Sequence, residues 1–211
     1  YFTPDTLEFQ GAVNFLKGGL VYADRLTTVS RSYGEEIQTA FYGEGLDGLL
    51  RKRSHELTGI VNGVDYDTYN PQTDPALFVP YTWRSAGKKR QNKTRLQELL
   101  GLRVDENIPL LAIVSRLVKP KGMDLITRVL GEILSLDVQL VVLGTGEEQY
   151  EGFFRVAAYR HPGQVSTNIF FDETLARRLY AASDIFLMPS LFEPCGIGQL
   201  IAMRYGSLPL V

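Results

Sequence analysis

This sequence of 211 residues has few cysteines and histidines and no long apolar run, so it lacks the features that mark disulfide-bonded, metal-binding and membrane-spanning proteins. Its single cysteine cannot form an internal disulfide, which favours a reducing compartment such as the cytoplasm. Its two histidines stand far apart, without the spacing of a metal site. No apolar run approaches the roughly 18 residues that a membrane-spanning helix needs, and no basic-then-apolar leader begins the sequence. These absences predict an intracellular protein without a membrane partner.

The chain also lacks an excess of one sign of charge, because 22 Lys and Arg nearly balance 24 Asp and Glu and the net charge is only −2. This balance gives no reason to expect nucleic acid or an anionic membrane surface as a partner. Apolar residues make up 45% of the chain and aromatic residues 11%, which is ample for a packed core and argues against disorder. The length suits one large domain, or a small domain and part of another.

The second part of the chain alternates short apolar runs with helical periodicity. The apolar run at 110–114 is continuous, as in a parallel strand that is covered on both faces, and further strands are predicted at 138–143, 165–170 and 184–188. Apolar residues then recur at helical spacing between these runs, and helices are predicted over residues 88–100, 123–134, 149–160 and 173–182. We therefore predict an α/β fold with a doubly wound, Rossmann-like parallel sheet and right-handed crossovers.

The first part of the chain reads differently, and we place a domain boundary between residues 57 and 58. Residues 1–57 contain one predicted strand and three predicted helices, too little for a separate core, and are interpreted as the end of a preceding domain. Residues 58–211 form the second domain, with Ile60–Val61 as its first strand. The chain starts in mid-loop and stops in a predicted strand, so we expect a piece of a longer protein, with a sheet truncated at both ends.

Two strand-to-helix loops carry the residues with the most chemistry. Residues 192–199 place Glu193, Gly196 and Gly198 after the strand at 184–188. Residues 115–122 place Arg116 and Lys121 after the strand at 110–114. Open α/β sheets bind ligands outside the carboxyl ends of their strands, where the free N–H groups of helix N-termini suit phosphate. One loop with cations and one with a carboxylate and glycines indicate a site for a sugar joined to a diphosphate.

The roles of these residues follow from the charge that such a reaction develops. Arg116 and Lys121 can stabilise a diphosphate as its bond to the sugar breaks, and one such preorganised donor is typically worth about 3–4 kcal/mol. Glu193 can accept hydrogen bonds from sugar hydroxyls, and Gly196 and Gly198 allow a close approach of backbone N–H groups to phosphate. The alternatives are two solvated cations, an ordinary loop carboxylate and glycines that only turn the chain.

Two other patterns are interpreted as structural. Gly144 and Gly146 follow a strand, as in a dinucleotide-binding loop, but Gln149 occupies the position of the third glycine, so a tight turn is favoured over an NAD site. Cys195 has no supporting histidine nearby and is interpreted as a small buried residue and not as a nucleophile.

Together these motifs resemble the family of bacterial glycogen synthases and plant starch synthases. The resemblance runs along nearly the whole chain in the same order. The motifs that carry it are Leu16-Lys17-Gly18-Gly19-Leu20, Tyr22-Ala23-Asp24, Thr27-Thr28-Val29-Ser30, Asn62-Gly63-Val64-Asp65, Ser115-Arg116-Leu117 with Lys121-Gly122, and Phe192-Glu193-Pro194-Cys195-Gly196.

The resemblance implies a GT-B fold, in which two Rossmann-like domains enclose a cleft. It also implies transfer of glucose from ADP-glucose to the non-reducing end of an α-1,4-glucan, with retention of configuration and without a metal or other cofactor. Residues 1–57 would belong to the acceptor-side domain and residues 58–211 to the nucleotide-sugar-binding domain, and this stretch alone would be inactive. The place of action would be the bacterial cytosol, or a plastid in a plant.

The family motifs also imply roles for individual residues. Arg116 and Lys121 would bind the diphosphate and help it leave, and Glu193 would contact the transferred glucose. Asn62 would lie near the donor, and Phe171 would stack on adenine. The segment Cys195, Gly196, Ile197, Gly198 and Gln199 would hold phosphate or sugar through its amides.

Two departures and two alternatives qualify these roles. Gly198 stands where bacterial members often have threonine, and Ile201 stands where the wider superfamily has a second glutamate. The alternatives are a GT-B transferase that uses UDP-glucose, and a non-catalytic module that binds a sugar nucleotide or a glucan.

Overall fold

The computed structural model describes residues 2–211, which form two compact units that meet at Gly63 and Val64. The predicted boundary between residues 57 and 58 lies a few residues earlier, at a strand that pairs inside the first unit. The assignment of the two parts to an acceptor-side and a donor-binding domain stays a prediction. Among residues 2–211, no helix combines the length and the apolar character that crossing a membrane requires.

The first unit has a small core of its own. Its elements are β1 (Glu8–Phe9), β2 (Ala12–Val13), α1 (Phe15–Tyr22), β3 (Leu26–Thr28), α2 (Arg31–Glu36), α3 (Asp47–Lys52) and β4 (Leu57–Gly59). Strands β1 and β2 form an antiparallel hairpin, and β3 pairs with β4 in parallel. Leu26, Leu46 and Leu50 are buried at its centre. The prediction that this stretch is too short for a separate core was therefore wrong.

The strand predicted at Ile60–Val61 is also wrong, because both side chains are exposed and β4 ends before them. The ladder stops where the Ile60 amide donates to the Thr28 carbonyl, the last residue of β3. At Gly59 a Cβ atom would come within 2.1 Å of the Ser30 carbonyl oxygen, so the chain that enters α2 closes over the end of the ladder. Because Ile60 and Val61 have no partner strand, they form part of an exposed connection.

The second unit confirms the predicted doubly wound sheet. Its strands are all parallel, in the order β7-β6-β5-β8-β9. They are β5 (Leu110–Val114), β6 (Gln139–Leu143), β7 (Val165–Asn168), β8 (Ile185–Leu187) and β9 (Leu208–Leu210). Helix α4 (Lys89–Leu99) precedes β5, and the helices between the strands are α5 (Met123–Leu134), α6 (Glu148–Arg160), α7 (Glu173–Ala182) and α8 (Ile197–Arg204).

The central strands β5 and β6 are buried on both faces, which explains why they are rich in apolar residues. On β5, Leu110 and Ala112 pack into one core with residues of α4, α7 and α8. Leu111 and Ile113 point the other way, into a second core with residues of α5 and α6. The alternation along one strand therefore places helices on each face, as the period of two requires.

Strand β5 has β6 on one side and β8 on the other, so the order of the strands reverses beside it. In doubly wound sheets a ligand crevice lies at this point, outside the carboxyl ends of the strands. The loops that follow β5 and β8 are the two that carry the predicted site residues. The topology therefore places residues 115–122 and 188–196 at the same edge of the sheet.

Close backbone contact fixes the loop after β5 against the loop after β8. Gly122 has a φ of +75°, and a Cβ atom there would lie 1.9 Å from the carbonyl oxygen of Pro189. Beside it, the amide of Leu191 donates to the Pro120 carbonyl at 3.0 Å. Only glycine combines this conformation with this proximity.

The loop after β6 is held against the loop after β5 in the same way. A Cβ atom on Gly144 would lie 1.8 Å from the Ser115 carbonyl oxygen, and one on Gly146 would lie 2.1 Å from the Leu117 carbonyl oxygen. The Leu117 amide donates to Thr145 at 2.9 Å. These glycines form a tight turn against a neighbouring loop, in agreement with the structural interpretation of this pattern.

A half-buried lysine supports the opposite end of the unit. The Lys89 ammonium donates to the carbonyl oxygens of Tyr180 and Ala181, at the end of α7, and of Tyr205, just after α8. Burial is the main cause that lowers its pKa from 10.5 to about 7, with Lys93 acting in the same direction and Asp184 against it. A cation suits these helix ends, but its desolvation dominates here.

This lysine predicts a pH dependence of stability. Between pH 7 and 9 the unfolded chain binds a proton at Lys89 that the folded chain has released, so the free energy of unfolding should rise with pH, by about 2 kcal/mol over this interval. Urea unfolding can be followed by far-ultraviolet circular dichroism. In Lys89→Met the rise should disappear, and an unchanged slope would contradict this origin.

The contact of Gly122 with Pro189 predicts a large difference between two glycine substitutions. Gly122→Ala should lower the free energy of unfolding by about 2 kcal/mol or more, because it adds left-handed strain and a clash with backbone. Gly131→Ala, inside α5 with nothing near its Cβ position, should raise it by about 0.5–1 kcal/mol. Equal effects of the two changes in urea unfolding would refute the close approach.

Candidate active site

A lysine–glutamate ion pair joins the two loops at the crevice. Lys121 ends a short 3₁₀ turn after β5, and its ammonium nitrogen Nζ lies 2.5 Å from Oε2 of Glu193. The Ser190 hydroxyl donates to the same oxygen at 3.2 Å. Both side chains of the pair are about one-fifth exposed, Lys121 at 20% and Glu193 at 24%, so a ligand in the crevice can reach them.

The structure places Arg116 differently from Lys121. Arg116 is exposed, and no acidic side chain pairs with it in the part of the chain that the structure describes. It lines a cavity of about 230 Å³, whose lining does not include Lys121. The prediction that Arg116 and Lys121 converge on one anion stays a prediction, and in this structure Lys121 is held by Glu193.

The cavity beside Arg116 has an aromatic wall. Phe171 is 86% exposed and lines it, together with Phe170 and the turn at Gly144 and Thr145. Phe171 follows β7 and directly precedes Asp172, whose carboxylate accepts the Leu175 amide and so begins α7. This cap fixes the backbone next to Phe171. The structure thus brings Arg116 and Phe171 to one cavity, between the ends of β5, β6 and β7.

The segment after Glu193 leads into the N-terminus of α8. Gly196 is the residue before the helix and has a φ of +71°. Because the first amides of a helix lack intrahelical partners, those of Ile197 and Gly198 are available to an anion. The Gln199 amide is not, since it donates to the Gly196 carbonyl at 3.0 Å. Gln199 is therefore a weaker candidate than the prediction assumed.

Packing explains the glycine at position 198. A Cβ atom there would lie 3.3 Å from the ring of Phe186, on β8, and 3.7 Å from the Met188 sulfur. The ring would have to shift slightly for any larger residue. Glycine at this position therefore lets the start of α8 pack closely against the end of β8. It offers no side chain to a ligand, so an anion here would meet only backbone N–H groups.

Two predicted residues take no visible part in this arrangement. Cys195 is a free, half-buried thiol, and its role stays a prediction. Asn62 is exposed and is the penultimate residue of the first unit, so its predicted role near the donor also stays a prediction.

Among residues 2–211, no three His, Cys, Asp or Glu side chains gather as a metal site would.

Sequence reasoning missed Ser190 and Thr145. Ser190 contacts Glu193 from three residues upstream, a spacing at which a loop hydroxyl commonly meets a carboxylate. Thr145 was treated only as part of a turn, yet it lines the cavity with Arg116. The position of Ser190 in the loop before Glu193 was a usable signal, whereas nothing local indicated Thr145.

Comparisons with protein families and solved structures identify relatives of this chain. Residues 1–52 match the family described as starch synthase catalytic domain, and residues 108–211 match glycosyl transferases group 1. The catalytic domain of starch synthase IV from Arabidopsis thaliana, solved with ADP and acarbose, superposes with a TM-score of 0.91 at 37% identity, over 98% of this chain and 43% of that one. Anabaena HepE, solved with UDP and glucose, is 18% identical over 90% of this chain and 45% of that one, with a TM-score of 0.59, and shares the fold alone.

The sequence relatives are bacterial glycogen synthases. Those of Clostridium acetobutylicum and Desulforamulus reducens are 54% and 56% identical over all 211 residues. The chain spans 44% of the length of each of these proteins. The chain therefore belongs to the family of bacterial glycogen synthases and plant starch synthases, as its motifs predicted.

Proposed function

We propose that the protein containing this chain is a retaining glucosyltransferase, which transfers glucose from ADP-glucose to the non-reducing end of an α-1,4-glucan. The observation that carries the proposal is the Lys121–Glu193 pair at the crevice, beside a cavity lined by Arg116 and Phe171. The ADP and acarbose in the solved starch synthase support a nucleotide and a glucan as ligands. Because the relatives are bacterial, the proposal places the reaction in the cytosol.

The ion pair suggests how the site responds to its donor. A diphosphate next to Lys121 offers the ammonium a stronger anionic partner than one carboxylate, so the ammonium turns toward it. Glu193 is then free to accept hydrogen bonds from hydroxyls of the glucose. The hydroxyl of Ser190 keeps the carboxylate oriented while this exchange takes place.

The reaction itself exchanges one bond at the anomeric carbon. The bond from this carbon to the diphosphate oxygen breaks, and the bond to the O4 oxygen of the acceptor forms on the same face. The leaving phosphate oxygen takes the proton of the acceptor hydroxyl, and ADP is released. Arg116 and Lys121 stabilise the negative charge as it develops, together with the amides of Ile197 and Gly198. The proposal invokes no cofactor or metal, because these groups supply the positive charge.

Substitution of the cations tests this mechanism in the full-length protein. Arg116→Ala and Lys121→Ala should each lower the rate of glucan elongation by about 100- to 1000-fold, since each removes charge stabilisation from the transition state. Lys119→Ala, an exposed lysine in the same loop, is the matched control and should keep the rate. Unchanged elongation in both variants would instead favour a non-catalytic module that binds a sugar nucleotide or a glucan. The 211 residues alone should not elongate glucan.

The cavity predicts which nucleotide the donor carries. An adenine offers a larger ring system to Phe171 than a uracil does, so calorimetry with the full-length protein should show tighter binding of ADP than of UDP. Phe171→Ala should weaken ADP binding by about tenfold while the fold persists, because the ring is 86% exposed. Tighter binding of UDP would transfer the assignment to a transferase that uses UDP-glucose.

A further inference from the structure

We propose that the second unit carries an α-glucan-binding site around Trp83, separate from the crevice of the transfer reaction. The side chain of Trp83 is 82% exposed at a cavity of about 420 Å³. Trp83 is the only tryptophan of the chain. The ligand class rests on the proposed function, since a glucan is the acceptor there.

Hydrogen bonds on both sides of Trp83 hold the backbone that carries its ring. Thr82 and Ser85 form a capping box around it, in which the Thr82 amide donates to the Ser85 hydroxyl at 3.0 Å. On the other side, Tyr81 is buried, and its hydroxyl donates to the Tyr205 carbonyl at 2.7 Å. The backbone on both sides of Trp83 is therefore fixed, so that the ring loses little freedom on binding a ligand.

Polar groups around the cavity suit a neutral ligand rich in hydroxyls. Asn70, Gln72 and Thr82 supply amide and hydroxyl groups, and Arg204 supplies a guanidinium. The Lys89 ammonium also borders the cavity, but three carbonyl oxygens already surround it. Among residues 2–211, no acidic side chain lines the cavity, and Arg204, the other cation in this part of the chain to line it, donates to the Tyr69 carbonyl and lies over the ring of Tyr66.

The shape of an α-glucan fits such a surface. Its sugar rings present apolar C–H faces that pack on an aromatic ring, while their hydroxyls need hydrogen-bond partners at the rim. One face of the Trp83 ring is covered by the Arg84 guanidinium, 4.8 Å from the ring centre, which leaves the other for a sugar. Among residues 2–211, the indole N–H has no hydrogen-bond partner, so it is available to a hydroxyl.

The Trp83 site lies away from the crevice. Helix α8 begins at the crevice after Gly196 and ends next to the cavity, at Arg204. Its eight residues separate the two places by about 12 Å along the helix. A glucan bound at Trp83 therefore holds a large branched acceptor at the enzyme without occupying the donor pocket, which favours long acceptors over short ones.

Two binding measurements test the site on the 211-residue chain. Maltoheptaose should change the fluorescence of Trp83 in a saturable way, and an equal mass of sucrose should not. In gels that contain glycogen, the chain should be retarded, and Trp83→Ala should lower its apparent affinity by about tenfold. Tyr159→Ala removes an equally exposed aromatic on α6, outside this cavity, and should keep the retardation. No saturable change, or equal retardation of Trp83→Ala and the native chain, would overturn the proposal.

A kinetic comparison separates this inference from the transferase assignment. In the full-length enzyme, Trp83→Ala should raise the KM for glycogen and leave transfer to maltotriose unchanged, whereas Arg116→Ala should lower transfer to both acceptors by about 100- to 1000-fold and keep retention on glycogen. If Arg116→Ala retains full transfer while Trp83→Ala loses retention, the assigned role of Arg116 fails and the glucan site stands. If Trp83→Ala lowers transfer to both acceptors equally, the glucan site fails.

Discussion

The geometry of the site depends on how closely the backbones of three loops, those after β5, β6 and β8, approach one another. Gly122 touches the Pro189 carbonyl, and Gly144 and Gly146 touch the loop after β5, at distances that no side chain permits. Peptide groups in direct contact cannot move independently, because every shift meets another backbone instead of a flexible side chain. The base of the crevice is therefore rigid. The glycines take no part in the chemistry, but their close contacts fix the positions of the side chains above them.

Much of the second unit follows from local pattern, because its strands are buried on both faces and its helices on one. The runs at 110–114 and 138–143 correspond to β5 and β6, and the helix predicted at 173–182 coincides with α7. The first unit does not follow from pattern to the same degree. Whether Leu57–Gly59 or Ile60–Val61 becomes a strand depends on a partner some thirty residues earlier, and pairing at that distance leaves no periodic mark in the sequence.

The same limit applies to the site. Sheet topology alone brings the loops after β5 and β8 together, and so the proximity of Arg116, Lys121 and Glu193 to one edge could be predicted. That Lys121 lies against Glu193 while Arg116 lines a separate cavity depends on rotamers and loop conformation, which residue type does not specify. The hydrogen bond from the Gln199 amide to the Gly196 carbonyl could not be predicted either, because it arises only once the turn before α8 is formed.

The Lys121–Glu193 pair also bears on which ligands the crevice selects, because each member of the pair needs a partner of opposite character. A small inorganic anion that attracts the ammonium leaves the carboxylate stripped of its partner and partly out of water, which is costly. A ligand that presents a diphosphate at one end and hydroxyl donors at the other compensates both members of the pair at once. Under the proposed function, the crevice selects a molecule that carries both groups, and inorganic phosphate is a poor competitor.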